Sequence, residues 1–439
     1  MTLANLVPRV AALLLLIIFL LVPAQAQKIS SYERDRAQAM LHVIADDVKK
    51  HYYDPKFHGV NWDAKVHEIS QKIEHAETSN GALSEIAALL DSLNDSHTFF
   101  VPPQHAAHYE YGWVAQLIGN RCYVVQVRAD SDAESKGVKP GDEILSLSGY
   151  QPTKENFWKM QYVLHTLRPQ ASLRLELRDP SGKQRTVDVL AKVTESRHVQ
   201  EFVSDVNQWL REGDNSAHQG RPRTAEIGEE LMVLKFPGFS FDESEVDLLV
   251  SKARKHKSLI LDLRNNGGGS EDTLKSLLGR MFDQDVKIGD RAGRNERKPV
   301  IAKSHRSPFN GKLIVLVDSG SASASELFAR VVQLEKRGLV LGDTSSGKVM
   351  EAEAFSHQVG LSIIAFYGDS ITRCDVIMTD GKSLENLGVT PDETSLPTAA
   401  DLAAGRDPVL ARAAELAGVR LTPEAAGKLF PYEWPRRPE

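Results

Sequence analysis

The sequence is short of cysteine and has no long stretch of basic residues. Its 439 residues include two cysteines, Cys122 and Cys374, and carry a formal net charge of -6. A nucleic-acid-binding surface normally shows as clustered Lys and Arg, so nothing here indicates a nucleic-acid partner. An oxidising compartment would permit a disulfide, but the two cysteines lie in different predicted domains. We therefore expect two buried free thiols.

Hydrophobic runs long enough to cross a membrane are also missing. The apolar run at residues 10–22 falls short of the roughly 20 residues that a spanning helix needs. Small residues then lead up to Ala26, so residues 1–26 are predicted to be a signal peptide that is cleaved after Ala26. An uncleaved N-terminal anchor is the alternative. The mature chain is predicted to be exported, to a bacterial periplasm or beyond it, with no membrane span.

Metal and cofactor signatures are absent as well. The 14 histidines show no H-E-x-x-H or comparable spacing, which predicts no metal ion and no organic cofactor. Residues 342–348 meet the glycine and lysine spacing of a phosphate-binding loop. However, Val349 stands where that loop requires a serine or threonine to bind magnesium, so a nucleotide site is disfavoured.

The pattern of apolar residues divides the mature chain into four parts. Residues 27–104 have apolar positions at helical spacing and predict an N-terminal helical domain, whereas residues 105–195 have short strands separated by turns. Residues 196–399 begin with a polar linker, up to about residue 225, and then alternate strands and helices. That alternation predicts an α/β multidomain protein with a mainly parallel sheet in this part. Residues 400–439 are predicted to be a tail with one short helix.

Individual elements follow from the same pattern. In the β-rich part, strands are predicted at 113–118, 122–127, 143–147, 173–177 and 186–191, with a helix at 154–167. In the α/β part, strands are predicted at 232–235, 259–263 and 313–317, and helices at 243–256, 271–282 and 324–335. Ser84 is predicted to cap a helix at 83–93 of the N-terminal part.

Three segments of the α/β part combine small residues with polar ones. Residues 262–269 lead from an apolar strand through three glycines into a helix, so their N–H groups can converge on an anion. Residues 319–326 read Ser-Gly-Ser-Ala-Ser-Ala-Ser-Glu and open the next helix, and residues 342–348 end in a lysine. Each segment alone has an ordinary explanation: a tight turn, a capping box formed by Ser323 and Glu326, and a solvated lysine.

Together these segments resemble the signature of the C-terminal-processing (tail-specific) serine proteases. Their order matches that family's D-L-R-x-N-x-G-G turn, S-A-S-A-S-E segment and G-K loop, and Lys348 follows Ser323 by 25 residues, as in the family. Further matching segments lie at residues 94–98, 137–145 and 388–392. The resemblance covers about residues 35–395. It implies a crotonase-like (ClpP/crotonase) protease core and a PDZ-like peptide-binding domain at residues 105–195.

The resemblance also implies a mechanism. Ser323 would be the nucleophile and Lys348 the general base of an acyl-enzyme reaction on protein or peptide substrates. Since a lysine acts as a base only when uncharged, Lys348 is expected in a partly desolvated pocket beside Ser323. The backbone N–H groups of Ala324 and Gly268 are expected to form the oxyanion hole. Substrate C-termini would be recognised by the PDZ-like domain. The implied peptide-binding residues are Gly112, Trp113, Val114 and Ala115.

One position departs from the family pattern. Many members carry Gln four residues after the lysine, where this chain has Ala352. Glu351 and Glu353 flank it, and strand alternation is expected to point them to the opposite face. A catalytically weak or inactive peptide-binding scaffold is therefore the alternative to the predicted exported serine endopeptidase. An acyl-CoA enzyme of the crotonase-like fold is not supported, because a signal peptide and a PDZ-like domain suit extracytoplasmic proteins.

Overall fold

The computed structural model of the chain describes residues 28–103, 107–195, 220–294, 297–360 and 364–434. The predicted signal peptide and most of the predicted linker lie outside these residues. Over the described ranges, no helix combines the length and the apolarity that crossing a membrane requires. Cys122 and Cys374 are both buried and not bonded to each other, which confirms the expected free thiols.

Most predicted elements are found, with ends that differ by a few residues. The helices are α1 (Ser31–His51), α2 (Trp62–Glu74), α3 (Ser79–Asp91), α4 (Asp132–Ser135), α5 (Phe157–Tyr162), α6 (Glu243–Ala253), α7 (Glu271–Gly279), α8 (Ala324–Leu334), α9 (Ala399–Ala403), α10 (Pro408–Leu416) and α11 (Pro423–Ala426). The strands are β1 (Phe99–Val101), β2 (Ala107–Glu110), β3 (Trp113–Ile118), β4 (Arg121–Val127), β5 (Glu143–Leu147), β6 (Ser172–Arg178), β7 (Gln184–Leu190), β8 (Lys192–Glu195), β9 (Arg223–Ile227), β10 (Leu231–Lys235), β11 (Ser258–Asp262), β12 (Val286–Gly293), β13 (Arg297–Ala302), β14 (Lys312–Val317), β15 (Leu339–Gly342), β16 (Glu351–Val359), β17 (Ala365–Met378) and β18 (Glu393–Thr394).

The third helix begins earlier than the sequence predicts. Thr78, not Ser84, caps α3, and its hydroxyl accepts the N–H of Gly81 at 3.0 Å. Ser84 lies inside the helix and donates its hydroxyl to the carbonyl of Asn80. The prediction of the cap was wrong because Asn80 and Gly81 are poor helix formers that hide the first turn in the sequence.

A small antiparallel domain occupies residues 107–195. Strands β3 to β7 form one sheet in sequence order, and β2 pairs separately with β8. Helix α5, continued by a π-helical turn at Val163–Leu167, lies between β5 and β6 in the chain. Strand β3 pairs only with β4 among the described residues, so one long edge of β3 is available for a further strand.

A six-stranded sheet forms the centre of the α/β part, in the order β18-β15-β14-β11-β10-β9. All neighbouring strands are parallel except β9, which runs antiparallel to β10. The predicted alternation of strands and helices is therefore confirmed. Because β11 and β14 are neighbours, the segments after their carboxyl ends, 262–269 and 319–326, lie side by side at one edge of the sheet.

A second sheet, which the sequence did not predict, lies beside the N-terminal helices. Strands β1, β17, β12 and β13 follow one another, and β16 also pairs with β17. Buried Tyr367 and Ile371 of β17 belong to the same hydrophobic core as helices α1 to α3. The N-terminal helices therefore pack directly on the α/β part and share a core with it.

The C-terminal residues form part of the core instead of the predicted tail. Val409, Leu410 and Ala414 of α10 are buried against the face of the central sheet that includes Ile260 and Ile314. A parallel sheet needs cover on both faces, and the C-terminal helices cover one of them. The predicted boundary at residue 400 was wrong, because α10 is short and its apolar residues give only a weak helical pattern in the sequence.

Candidate active site

Ser323 stands at the junction between the loop after β14 and the start of α8. Its backbone has a φ of 54° and a ψ of -117°, a region that non-glycine residues rarely adopt. Two hydrogen bonds fix this conformation: the Ser323 N–H donates to the carbonyl of Lys348 at 2.8 Å and to Glu326 Oε2 at 3.0 Å. Strain of this kind costs about 1–3 kcal/mol and concentrates at functional sites.

Lys348 is brought to Ser323 by that backbone hydrogen bond. Its side chain is half-buried, and its Nζ lies 5.4 Å from the centroid of the Trp158 ring. Trp158 belongs to α5 of the small antiparallel domain. An ammonium group over an indole ring is favoured by about 0.5–2 kcal/mol, so this contact helps to hold the Lys348 side chain in place. The small domain therefore reaches the candidate base directly.

Glu326 holds the loop that carries the lysine. Its buried carboxylate accepts four hydrogen bonds, from the N–H groups of Ser323, Gly347 and Lys348 and from the hydroxyl of Ser345. The sequence predicted only a capping role for Glu326. In the structure its Oε2 does accept the Ser323 N–H, but the same side chain also fixes residues 345–348. Burial raises the pKa of Glu326 to about 7, and the hydrogen bonds it accepts oppose that rise.

Gly268 lies directly against the candidate nucleophile. Its φ is +94°, and a Cβ at this position would lie 2.7 Å from Ser323 Cβ and 2.9 Å from the backbone nitrogen of Ala324. Only glycine allows this approach. The Gly268 N–H donates to Asn266 Oδ1 at 2.9 Å, so it must turn from that partner to reach an oxyanion. The structure thus brings Gly268, Ala324 and Ser323 together.

The Asp and Arg that open the glycine segment have a structural role. Arg264 forms ion pairs with Asp262 and with Asp407, the residue that caps α10. Asp262 is 1% exposed, and the cationic Arg264 and Lys235 hold its pKa well below the usual range despite burial. This network ties the segment before the glycines to the C-terminal helices.

A second polar network, which the sequence analysis missed, lies next to the lysine loop. Glu385 accepts the N–H and the hydroxyl of Ser96, at 2.8 and 3.0 Å, and the N–H of Val349 at 2.9 Å. The Ser96 hydroxyl is also 2.7 Å from Nδ1 of His97. The backbone N–H of His97 donates to Asp95 Oδ1 at 3.0 Å. Glu385 gives no sequence signal, because it is 37 residues beyond Lys348.

The predicted peptide-binding residues lie at the start of β3. Gly112 has a φ of +74°, and a Cβ there would overlap Ser131. Its neighbours Trp113, Val114 and Ala115 are paired with β4, and Ala115 is buried. A cavity of about 270 Å³ lies beside Gly112 and is lined in part by Arg128. The residues therefore combine a tight turn with the beginning of an edge strand.

The far end of β3 touches the loops of the candidate site. Gln116 Nε2 donates to Asp318 at 2.6 Å, and the hydroxyl of Ser319 donates to the carbonyl of Leu117. The N–H of Gly119 donates to Asp343, which lies in the segment before Lys348. Strand β3 thus runs from the predicted peptide-binding turn to the loop that precedes Ser323.

At position 352, where many family members carry Gln, this chain has alanine. Ala352 is exposed, and a β-bulge between Glu351 and Ala352 breaks the regular alternation that the sequence predicted. Glu351 pairs with Arg291, and Glu353 pairs with Arg373. Both glutamates are therefore engaged by arginines.

Comparisons with known proteins agree on one family. Residues 230–395 match Peptidase family S41. The Carboxyl-terminal-processing protease of Synechocystis sp. is 22% identical over 358 residues, which make up 79% of this chain and 78% of that protein. The Carboxy-terminal processing protease CtpB of Bacillus subtilis is 23% identical over 384 residues, 84% of this chain and 70% of that protein.

A solved structure shows the same fold. Mature CPAF complexed with lactacystin superposes with a TM-score of 0.64 at 16% identity, over 85% of this chain and 96% of that chain. This similarity extends beyond the matched 230–395 region, and it covers mixed helices and sheets like those described above.

Proposed function

Because this chain belongs to peptidase family S41 and is a serine-type peptidase, we propose that it cleaves protein substrates with Ser323 as nucleophile and Lys348 as general base. The observation that carries this proposal is the strained backbone of Ser323, held by the carbonyl of Lys348 at 2.8 Å. The strain presents the serine side chain at the start of a helix, next to the turn at Gly268.

In the proposed reaction, the uncharged amine of Lys348 takes the proton of the Ser323 hydroxyl as Oγ attacks the scissile carbonyl. The negative charge on the carbonyl oxygen is stabilised by the N–H of Ala324, at the positive end of α8, and by the turn at Gly268. The protonated Lys348 then gives its proton to the leaving amine. Water activated by Lys348 releases the acyl group and restores Ser323.

His97 is a second candidate for the base. The contacts of Ser96 with His97 Nδ1 and with Glu385 would fix the orientation of the imidazole, as an acid does for histidine in other serine hydrolases. Glu385 also accepts the N–H of Val349, the residue after Lys348, so this network lies against the lysine loop. A histidine base would give an activity that falls as the pH drops below its pKa, near 6.5 for an ordinary imidazole.

We further propose that substrates bind through their C-termini as an added strand on β3. The free edge of β3 supplies backbone donors and acceptors, and the turn at Gly112 begins that edge. The contacts of β3 with the loop at Asp318 and Ser319 would lead a bound peptide toward Ser323. Export across a membrane, as the N-terminal residues predict, is part of the same proposal and is tested by sequencing the N-terminus of the mature protein.

The central test measures hydrolysis of casein and labelling by a fluorophosphonate, which reacts with activated serines. Wild type is expected to show both, and Ser323→Ala neither. Ser244→Ala, an exposed serine at the start of α6, is the matched control and should resemble wild type. Equal hydrolysis by wild type and Ser323→Ala would discard Ser323 as nucleophile. Lys348→Met and His97→Asn then separate the two bases, since only the true base should reduce fluorophosphonate labelling by more than about 100-fold.

A further inference from the structure

A compact group of one histidine and two aspartates lies on elements other than those that carry Ser323 and Lys348. Asp47 is on α1, His357 on β16 and Asp369 on β17. One ligand atom from each side chain lies within 4.8 Å of the others. These residues play no part in the proposed reaction, and sequence spacing could not join them, because Asp47 precedes His357 by about 310 residues.

The pairing of β16 with β17 and the packing of α1 explain why these side chains meet. In the antiparallel β16–β17 pair, His357 lies opposite Tyr367 and Phe355 lies opposite Asp369. Residues 355, 357, 367 and 369 therefore share one face of the ladder, with His357 and Asp369 as diagonal neighbours. Helix α1 packs across this face, since its apolar residues share a core with Phe355 and Tyr367. Asp47 is the acidic residue that α1 turns toward the pair.

The polar atoms of the group are close together but are not aligned for hydrogen bonds. His357 Nε2 is 2.9 Å from Asp47 Oδ2 and 3.5 Å from Asp369 Oδ2. Yet these three atoms and Asp369 Oδ1 have no hydrogen-bond partner among the described residues. Asp369 is fully buried, and among the described residues its carboxylate has the ion pair with His357 but none of the hydrogen bonds that a buried charge requires. One ligand atom from each of the three side chains lies within 4.8 Å of the others.

We propose that Asp47, His357 and Asp369 bind a divalent transition-metal cation of the zinc class. Zinc takes His nitrogen and carboxylate oxygen ligands at about 2.0–2.2 Å, which places ligand atoms about 2.8–3.6 Å apart in tetrahedral or octahedral geometry. The separations of His357 Nε2 from Asp47 Oδ2 and from Asp369 Oδ2, 2.9 and 3.5 Å, lie in this range. An imidazole ligand favours zinc over magnesium or calcium, which prefer oxygen alone. Two carboxylates and a neutral imidazole carry two negative charges, which one divalent cation neutralises.

A cation at this site would have a structural consequence. The side chains of Asp47 and His357 are 14% and 20% exposed, although their ligand atoms Oδ2 and Nε2 are buried. The cation would link α1 to strand β16, whose first residue, Glu351, follows Lys348 by three positions. Bound metal therefore stabilises the packing of the N-terminal helices on the second sheet, without a role in the reaction.

Calorimetry on the purified, EDTA-treated chain tests the proposal directly. Zinc chloride is expected to bind wild type with about one equivalent and to raise the midpoint of thermal unfolding, and magnesium chloride to do neither. Asp47→Asn, on the exposed side of the site, and Asp369→Asn should both lose this binding. The matched control is His256→Gln, which removes a buried histidine that has one carboxylate neighbour, Glu226, at 3.4 Å. It should bind zinc as wild type does.

The alternative occupant is a proton on His357, which would make the group an ion-paired triad without metal. Absence of zinc binding by wild type would therefore overturn the proposal. So would equal binding by wild type, Asp47→Asn and Asp369→Asn, which would place the zinc at another site. Circular dichroism checks that Asp369→Asn is folded, and Asp47→Asn keeps the test decisive if it is not. Anomalous scattering from a zinc-soaked crystal should show the cation between the three side chains.

Discussion

Replacement of Glu326 by Gln tests whether this side chain holds the lysine loop. The carboxylate accepts two donors on each oxygen: Ser345 and Gly347 on Oε1, and Ser323 and Lys348 on Oε2. Glutamine keeps the shape but offers only one accepting oxygen, and its amide nitrogen can only donate. One pair of donors must therefore lose its acceptor.

The size of the effect follows from which donors have other partners. If the amide replaces Oε2, the Ser323 N–H keeps the Lys348 carbonyl but the Lys348 N–H loses the Glu326 oxygen to which it donates. If it replaces Oε1, the Ser345 hydroxyl can rotate but the Gly347 N–H is left unpaired. Either way one buried backbone donor is orphaned, at about 1–3 kcal/mol. The ordered loop should become about 5- to 150-fold less populated.

The assay is the rate of fluorophosphonate labelling at pH 8, with casein hydrolysis measured in parallel. Glu326→Gln should label 5- to 150-fold more slowly than wild type, and Glu335→Gln, exposed at the other end of α8, should not differ. Since the pKa of Glu326 is raised to about 7, wild type itself becomes protonated at this position as the pH falls. The ratio between the labelling rates of wild type and Glu326→Gln should therefore be smaller at pH 5 than at pH 8. Labelling within twofold of wild type at pH 8 would refute the argument.

Three further substitutions have defined outcomes. Gly268→Ala should lower casein hydrolysis more than 100-fold, because its Cβ would lie 2.7 Å from the Cβ of the nucleophile. Trp158→Leu removes the ring that lies against the Lys348 ammonium, so the lysine is held less firmly and casein hydrolysis should fall about 2- to 30-fold. Arg264→Leu leaves Asp262 buried without its main partner, which should lower the free energy of urea unfolding by about 3–5 kcal/mol.

Matched control variants separate these specific effects from a general destabilisation of the fold. Gly182→Ala has the same backbone conformation, with a φ of +93°, but open space around the new Cβ, and should leave hydrolysis unchanged. Arg174→Leu breaks an exposed pair with Asp188 and should leave the midpoint of urea unfolding close to that of wild type. Unchanged hydrolysis by Trp158→Leu would show that the ring does not position the lysine. Activity retained by Gly268→Ala would contradict the close approach of the glycine turn.

The sequence predicted the central sheet well, because buried parallel strands are apolar on both faces and alternate with helices. It missed the second sheet for a related reason. Strand β17 buries Asp369, Ser370 and Thr372, and these polar residues conceal its pattern. The C-terminal helices were misjudged because their contribution is cover for a sheet face, which local spacing does not reveal.

Some residues of the candidate site could also be predicted from the sequence, and others could not. Ser323 and Lys348 could be predicted because they sit at fixed distances within short motifs. Glu326 could be predicted only as a helix cap. Its contacts with the lysine loop form because the folded chain brings residues 345–348 back to the start of α8. The approach of Glu385 to Ser96 depends on residues about 290 positions apart. Contacts of this kind carry no local signature.

The pairing of β1 with β17 sets a condition on how the molecule forms. Phe99 faces Ser370, so a segment made early must wait for one synthesised 271 residues later. Until β17 arrives, the apolar faces of α1 to α3 lack the Tyr367 and Ile371 side chains that complete their core. Folding of the first quarter is thus delayed until most of the polypeptide exists, and the lysine loop, which precedes β17, has been made by then. A chain that stops short of residue 365 lacks the strand with which β1, β12 and β16 all pair.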